Sequence, residues 1–491
     1  MKIYVETINS YLKTENDSEI NFFEKVLINA FRVKLEGLRF IPNYRQYNWN
    51  EYKYYLARSG KFQTGFLPLM VKYIQENNFE VELIDKRSDM PIIGSVPEQI
   101  GSLKLRSYQM QASVSINNYI GNLFFPRGII DGATNAGKNL IIAGIYKSVE
   151  KPKLLLLLHS LDIYRQAMEY FSALFPADVC GIDSVTIKKT GYINVGNFTI
   201  AMVKTLHNKM SNSTDVLNFI KDYFNIVVSD ECHHAGSQTY DFLLKNINAN
   251  VRVMVSGTPL KNSDKVKNLN IIGHSGLKLF TITNQDLINH SVSRNPIINL
   301  HLSNVPIENV FRSYAEESFL TIENAQSRLT KIGDIIEKSP DKYFLVFFSK
   351  RYHGKLIYEY LINRFPAKSI AMIHGGSINR KDEIDSFSES KTQILVSSLI
   401  LKEGINLSNI DELILANGGK SKIVVTQLIG RALRAKQGHN TVQVHDFYDI
   451  GVYVERHSKQ RIAVYKENGF EILPHYNYNQ QTYSPIIELN K

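Results

Sequence analysis

The sequence predicts an α/β protein with two doubly wound parallel-sheet domains in tandem, preceded by a small α+β domain. Short, largely apolar segments alternate with helical patterns from about residue 99 to residue 460, as in parallel sheets covered by helices. The first series of these segments is 154–158, 199–203, 226–228 and 251–255, and the second series is 344–348, 369–373, 394–396 and 412–415. Two such series predict two sheets, and therefore two tandem domains.

The length of the chain also indicates several domains. At 491 residues it is too long for one hydrophobic core. The segment 89–101 contains Pro91, Gly94, Pro97 and Gly101 and is typical of a linker. We therefore predict a small α+β domain at 1–98, α/β domains at 99–298 and 299–465, and a tail at 466–491.

Composition narrows the class of protein. A formal net charge of +10 favours a polyanionic partner. The two cysteines, Cys180 and Cys232, exclude a disulfide framework and favour a reducing compartment. The N-terminus has no apolar signal core, and no apolar run approaches the length of a membrane span. These features predict a cytoplasmic protein.

The N-terminal domain has two interpretations. Aromatic residues at 40–49 and 52–55 alternate in a pattern typical of a strand or hairpin. Basic residues lie among them: Arg39, Arg45, Lys53, Arg58 and Lys61. Together the rings and cations could form a nucleic-acid platform, or the rings could form the core of the domain and the cations its solvated face.

The stretch from Asp131 to Leu140 has the pattern of a phosphate-binding loop. An apolar strand precedes it and a helical pattern follows it. Gly132 and Gly137 leave the backbone free to fold around an anion, and Lys138 would reach the β- and γ-phosphates. The next residue is Asn139, where a Ser or Thr hydroxyl normally binds Mg²⁺. An ordinary glycine-containing turn is the alternative.

Two acids follow the apolar segment 226–228. Asp230 would hold Mg²⁺, and Glu231 would orient and polarise an attacking water molecule. Cys232, His233 and His234 suggest zinc, but no second cluster at ligand spacing accompanies them in the sequence. The motif from Ser256 to Pro259 ends the next apolar segment. A plain turn is possible there, but the position suits a link between hydrolysis and nucleic-acid binding.

A third motif lies in the second domain. Gln427, Arg431 and Arg434 are spaced to share one helix face, where the arginines could neutralise charge on a transferred phosphoryl group. A solvated basic face is the alternative. The segment at Gly404 follows another strand, and it would sense the nucleotide or contact the nucleic-acid backbone. Gln109 could meet an adenine edge, with Tyr108 packed beside it.

These motifs, in this order, resemble those of the superfamily 2 helicases. Within that superfamily the chain is most similar to the recombination helicases of T-even phages, through the runs 404–409 and 420–427 and the stretch 40–49. The resemblance extends over nearly the whole chain, with the C-terminal tail unaccounted for. Asn139 and Asn406 depart from the usual pattern, which has Ser or Thr at the first position and Asp at the second.

The resemblance implies an ATP-driven motor with two RecA-like domains that remodels branched DNA, acting as a monomer or a weak self-associate. It implies fork regression, branch migration and R-loop unwinding. The residues that it implies for catalysis are Lys138, Asp230, Glu231, Arg431 and Arg434. Those implied for ATP are Tyr108, Gln109, Gly132, Thr134, Ala136, Gly137, Lys138, Asn139, Gly404 and Gln427, and those for Mg²⁺ are Asn139 and Asp230.

Two other functions are compatible with the sequence. One is a DNA-binding protein with weakened catalysis that uses nucleotide as a switch, which Asn139 favours and the acids and arginines disfavour. The other is the motor component of a restriction-type system. That system would normally bring a nuclease constellation, and the sequence shows none. A motor that translocates on duplex DNA without separating the strands is a close variant of the main hypothesis.

Overall fold

The computed structural model describes most of the chain as two compact units. The described residues are 1–35, 51–185, 187, 193–232, 237–257, 259–260, 264–303, 311–398, 409–419, 429–430 and 440–474. The first unit comprises residues 1–132 and 137–282, and the second comprises residues 133–136 and the chain from 283 onward. None of the helices in these ranges is both long and apolar enough to cross a membrane.

The first unit begins with an α+β domain. Its strands are β1 (Lys2–Val5), β2 (Asn9–Lys13), β3 (Arg32–Lys34), β4 (Tyr52–Tyr54), β5 (Lys61–Gln63) and β6 (Glu82–Asp85). Four of them form a sheet in the order β5-β2-β1-β6, and β3 pairs with β4. The helical segments are Asp17–Phe22, Phe23–Leu27, Ile28–Ala30, Thr64–Phe66 and Leu67–Glu76. In β1, Ile3 and Val5 alternate with more exposed residues, so one face of this sheet is buried.

The structure shows which residues of the aromatic segment are buried and which are exposed. Tyr55 is buried in the core of the α+β domain, whereas Tyr54 is 41% exposed. The Arg32 guanidinium lies 4.2 Å from the centre of the Tyr52 ring. Residues 40–50, including Arg45, lie outside the described residues. The core interpretation therefore applies to Tyr55, and the platform hypothesis stays a prediction for the rest.

The α+β domain packs closely against the helix Lys265–Ser275 of the same unit. The Tyr55 hydroxyl donates to the carbonyl of Val266 at 3.0 Å, and the Lys53 ammonium donates to the Asn270 side chain at 2.8 Å. Gly65 lies against the backbone of that helix. Deleting residues 1–95 would remove a packed neighbour of the helix, so point variants are a cleaner probe of the domain.

We expect Gly65→Ala to destabilise this packing. An added Cβ would lie 2.0 Å from the carbonyl oxygen of Ile272 and 2.5 Å from that of Gly273, and helix backbone cannot move aside cheaply. Overpacking of this kind costs about 1–3 kcal/mol, which would lower the midpoint of the first thermal unfolding transition. The matched control is Gly94→Ala in the same unit, where the nearest atom would be 3.6 Å away. Equal midpoints for the two variants would show that the contact contributes nothing.

The rest of the first unit surrounds a seven-stranded parallel sheet. Two short hairpins precede the sheet, one of β7 (Gln99–Ile100) and β8 (Leu103–Lys104) and one of β9 (Tyr119–Ile120) and β10 (Leu123–Phe124). The strands of the sheet are β11 (Arg127–Gly132), β12 (Leu154–Leu158), β13 (Val179–Ile182), β14 (Phe198–Met202), β15 (Ile226–Asp230), β16 (Val251–Ser256) and β17 (Lys278–Ile282). The order is β13-β14-β12-β15-β16-β11-β17. The helices are Ser107–Val114, Lys138–Ser148, Leu161–Leu174, Val203–Asn212, Thr214–Tyr223, Gln238–Asn246 and Lys265–Ser275.

The second unit contains another seven-stranded parallel sheet. Its strands are β18 (Asn295–Ser303), β19 (Phe344–Phe347), β20 (Ile370–Ile373), β21 (Ile394–Ser397), β22 (Glu412–Leu415), β23 (Thr441–Asp449) and β24 (Glu471–Pro474), in the order β20-β21-β19-β22-β23-β18-β24. The helical segments are Asn284–Asn289, Tyr314–Ser318, Phe319–Glu323, Gln326–Lys338, Arg351–Arg364, Arg380–Ser388 and Val454–Glu467. The predicted tandem α/β architecture is confirmed.

The sheets also show how the predicted strands and boundaries differ from the observed elements. Strands β13, β17 and β24 lie at sheet edges, where residues are partly exposed and no continuous apolar run is needed. The domain boundary predicted at 298/299 falls inside β18, and β24 extends the second sheet beyond residue 465. The predicted strand 199–203 lies one residue late, because Val203 begins a helix.

Candidate functional site

The candidate site begins where β11 ends. This strand lies between β16 and β17 and stops at Gly132. The helix Lys138–Ser148 starts six residues further on, directly after Gly137. Gly137 has φ +72°, which favours glycine, and no side chain caps the helix N-terminus. The phosphate-loop pattern thus has the strand, loop and helix that an anion site requires.

Lys138 meets the two predicted acids. Its ammonium nitrogen lies 3.0 Å from Glu231 Oε1 and 3.6 Å from Asp230 Oδ1. Asp230 is the last residue of β15, so both acids lie at the carboxyl edge of the sheet, as does the loop after β11. The structure therefore brings together the lysine and the acids that the sequence had placed 92 residues or more apart.

Backbone geometry orients the acids. Glu231 has φ +50°, a left-handed conformation that is uncommon for a non-glycine residue. Its backbone N–H donates to Asp230 Oδ1 at 2.9 Å. Conformations of this kind are unfavourable by about 1–3 kcal/mol and cluster at functional sites. The strained residue is the one proposed from the sequence to act on water.

Ser256 is a partner that the sequence did not assign. Its hydroxyl donates to Glu231 Oε2 at 3.1 Å, from the end of β16. The serine begins the motif that the sequence analysis linked to hydrolysis. Because β15 and β16 are adjacent and parallel, their carboxyl ends lie side by side. In the sequence, both residues follow consecutive apolar segments, 226–228 and 251–255, and this was the signal that could have suggested the pair.

The charged groups of the cluster shift one another's pKa values. Burial lowers the pKa of Lys138, but Glu231 and Asp230 together raise it further, so the net shift is upward and the ammonium stays charged. Burial raises the pKa of Asp230, with Lys138 opposing this shift and Glu231 adding to it. Lys138 therefore compensates two neighbouring carboxylates that would otherwise repel each other.

Gln109 lies beside the phosphate loop. Its side chain is almost fully buried, and its Oε1 accepts the Arg106 backbone N–H at 2.9 Å. A Cβ added to Gly137 would lie 2.3 Å from Gln109 Nε2, so the amide occupies the space that this glycine leaves. Tyr108 is also buried, and burial raises the pKa of its phenol. Adenine recognition by these two residues stays a prediction.

The structure describes only some of the other predicted site residues. Asn139 is the second residue of the helix Lys138–Ser148 and is half-buried, and its role toward Mg²⁺ stays a prediction. Thr134 and Ala136 lie in the loop before that helix. Gly404, Asn406, Gln427, Arg431 and Arg434 lie outside the described residues, and so do His233 and His234.

The donor set of the cluster fits a magnesium-bound nucleotide. The described residues include no group of three or more His, Cys, Asp or Glu side chains suited to a metal ion. Mg²⁺ in nucleotide sites is usually held by one or two carboxylates together with phosphate oxygens. Asp230 and Glu231 beside Lys138 and an uncapped helix N-terminus match that arrangement. Burial raises the pKa of the Cys232 thiol.

Comparisons with known proteins agree with this geometry. The family described as type III restriction enzyme, res subunit, matches residues 102–261. The family described as helicase conserved C-terminal domain matches residues 327–436. The two matches fall on the two sheets, which together define a helicase motor.

Relatives extend the similarity to most of the chain. The protein named "Putative helicase 22" from Sulfolobus islandicus filamentous virus is 23% identical, over 96% of this chain and 87% of its own length. The ATP-dependent DNA helicase uvsW of Enterobacteria phage T4 is 23% identical, over 92% of this chain and 95% of its own.

A solved structure shares the fold. The ATP-dependent Type ISP restriction-modification enzyme LlaBIII bound to DNA has a TM-score of 0.55 at 13% identity, covering 84% of this chain and 34% of that one. The chain belongs to the superfamily 2 helicases and is an ATP-dependent helicase related to the phage protein uvsW. The family and the enzyme class predicted from the sequence are confirmed.

Proposed function

We propose that this helicase uses ATP and Mg²⁺ to remodel branched DNA, by fork regression, branch migration of four-way junctions and R-loop unwinding. The observation that carries the ATP-driven part is the cluster of Lys138, Asp230 and Glu231 at the carboxyl edge of the first sheet. The branched substrate is what the similarity to phage recombination helicases implies. The net charge of +10 supports a polyanionic partner.

Within this proposal each residue of the cluster has a separate task. Lys138 would hold the phosphates, Asp230 would hold the metal ion, and Glu231 would orient the attacking water. Bound Mg²⁺ would neutralise charge that develops on the transferred phosphoryl group. Ser256 fixes the Glu231 carboxylate by its hydrogen bond, so that the other carboxylate oxygen faces Lys138. Arg431 and Arg434 would contribute the remaining positive charge.

The test is steady-state ATP turnover with a four-way DNA junction, with linear duplex of equal length, and without DNA. We expect turnover to rise with DNA and to rise most with the junction. Turnover that is indifferent to every DNA would refute a DNA motor. Stimulation by duplex and junction alike would leave a motor but remove the preference for branches.

One observation favours a second candidate, a nucleotide-switched DNA-binding protein with weakened catalysis. Asn139 stands where a hydroxyl side chain normally binds Mg²⁺. The same assay with Asn139→Thr separates the two candidates. We expect an active parent, and a threonine variant that reaches half-maximal turnover at lower Mg²⁺, because a hydroxyl oxygen is the usual ligand there. A silent parent that Asn139→Thr restores would favour the switch. Cleavage of the DNA in this assay would favour the restriction-type motor.

A further inference from the structure

The second unit exposes a stacked pair of aromatic rings, Phe319 and Tyr352. Their side chains are 44% and 43% exposed, and their ring centres lie 5.9 Å apart at an interplanar angle of 24°. Leu320, beside Phe319, is also 44% exposed. Contiguous apolar surface left open to solvent commonly marks a binding site. We call Phe319 and Tyr352 the aromatic step.

The aromatic step lies at the carboxyl edge of the second sheet. Tyr352 belongs to the first turn of the helix Arg351–Arg364, which begins shortly after β19 ends. Ile322, in the same helical segment as Phe319, packs against Gly418, just beyond the end of β22. Because β19 and β22 are neighbouring parallel strands, their carboxyl ends lie side by side, and the segments that carry Tyr352 and Phe319 both lie at that edge of the sheet.

Two anchors hold the step rigid. The Glu317 carboxylate is fully buried and accepts three consecutive backbone N–H groups, from residue 452 to residue 454, at 2.7, 2.6 and 3.0 Å. The Tyr352 hydroxyl donates to the Asn324 side chain at 2.7 Å. A fixed pair of rings loses little conformational freedom when a ligand stacks on it.

Basic residues lie along the same carboxyl edge of the sheet as the aromatic step. Lys350 and Arg351 directly precede Tyr352 in the chain, and both are exposed. The helix that they begin has no side-chain cap, so its N-terminus also favours anions. After β20 the fully exposed Ile378 is followed by Arg380 and Lys381. Glu316 and Glu323 are acids of the helical segment itself, and Ser318 donates to Glu323 at 3.2 Å.

We propose that an unpaired DNA base stacks on Phe319 and Tyr352 while Lys350 and Arg351 hold the adjoining phosphates. Exposed rings beside cations suit a nucleic-acid strand, because rings accept any base and cations accept phosphate. This inference rests on the proposed function, since it requires DNA as the substrate. A base that leaves a duplex would regain stacking on the step, which makes strand exchange at a branch less costly.

The test measures the affinity of the protein for two single-stranded DNAs of equal length. One carries a base at every position, with 2-aminopurine at its centre, and the other has abasic sites at its centre. The variant is Phe319→Ala with Tyr352→Ala. We expect about a tenfold loss of affinity for the base-bearing strand, on the order of 1.4 kcal/mol, and no loss for the abasic strand. Quenching of 2-aminopurine emission by the parent should disappear in the variant. Tyr352→Phe keeps the ring and removes only the hydrogen bond to Asn324, so it should stay much closer to the parent than the double variant in both affinity and quenching.

The matched control is Phe219→Ala in the first unit. Phe219 is 52% exposed and its ring centre lies 5.1 Å from that of Tyr223 at an interplanar angle of 35°, so it is another exposed aromatic residue beside a second ring. It should change neither affinity nor quenching. Lys350→Ala with Arg351→Ala should weaken both strands alike and reduce the slope of log affinity against log salt by about 2.

Two further outcomes separate the inference from the proposed function. If the parent binds neither strand and no DNA stimulates its turnover, the DNA motor and the aromatic step are both refuted. If the parent binds both strands and DNA stimulates turnover, but the double variant keeps its affinity and quenching, only the step is refuted. The exposed rings would then be assigned to a protein partner.

Discussion

Replacing Lys138 by alanine is expected to lower kcat for ATP hydrolysis by about 100-fold or more, the loss typical when one group that stabilises transition-state charge is removed. The ammonium lies 3.0 Å from Glu231 and 3.6 Å from Asp230, at the start of the helix that would face the phosphates. Without it, two carboxylates remain at the site and would repel the nucleotide. Both ATP affinity and kcat should therefore fall, as measured by nucleotide binding and steady-state turnover.

The matched control is Lys147→Ala on the same helix. Lys147 is exposed and lies 4.8 Å from the centre of the Phe175 ring, away from the acids. Its removal should leave turnover within about twofold of the parent, as surface substitutions usually do. A Lys138 variant that hydrolyses ATP as fast as the Lys147 variant would mean that the loop does not serve catalysis.

Replacing Glu231 by glutamine is expected to separate binding from hydrolysis. Glutamine keeps the size of the side chain and an oxygen that can accept the Ser256 hydroxyl, but it lacks the negative charge that polarises water. General-base contributions are typically 10²–10⁴-fold, so kcat should fall by about that factor. ATP affinity should stay the same or rise, because the Lys138 ammonium loses one of its two competing carboxylates.

Glu169→Gln serves as the control, since Glu169 is an exposed acid on the helix Leu161–Leu174 of the same unit. Single-turnover kinetics and equilibrium binding of ATP, compared between the two variants, test the assignment. Loss of ATP binding in Glu231→Gln would place the residue in the binding machinery. Unchanged kcat would move the water-orienting role to another group.

The sequence by itself determined the fold class and predicted the candidate ATP site. Segments such as 154–158 are apolar throughout because strands inside a helix-covered parallel sheet are buried on both faces. The glycines around Lys138 and the acid pair after 226–228 also predict their chemistry locally, since a phosphate loop and an acid pair are each contiguous in the chain. These were the features that allowed the family to be predicted.

Strands with partly exposed or polar faces were not predictable in this way. Strand β18 carries Asn299 and His301 on the face that meets Gln443 and His445 of β23, so neither strand shows an apolar run. That polar face exists because the two strands pair over nine residues in register, and their side chains satisfy one another across the ladder. The periodicity of a single strand in the sequence does not show which other strand it pairs with.

Only the tertiary structure decided which distant residues meet. The bond from Ser256 to Glu231 follows from the adjacency of β15 and β16, which local sequence does not specify. The aromatic step likewise joins Phe319 to Tyr352 across an intervening helix and strand. Local sequence dictates which residues are apolar, charged or flexible, whereas the order of strands in a sheet dictates which of them share an edge. The residues proposed for ATP hydrolysis and for base stacking lie on those edges.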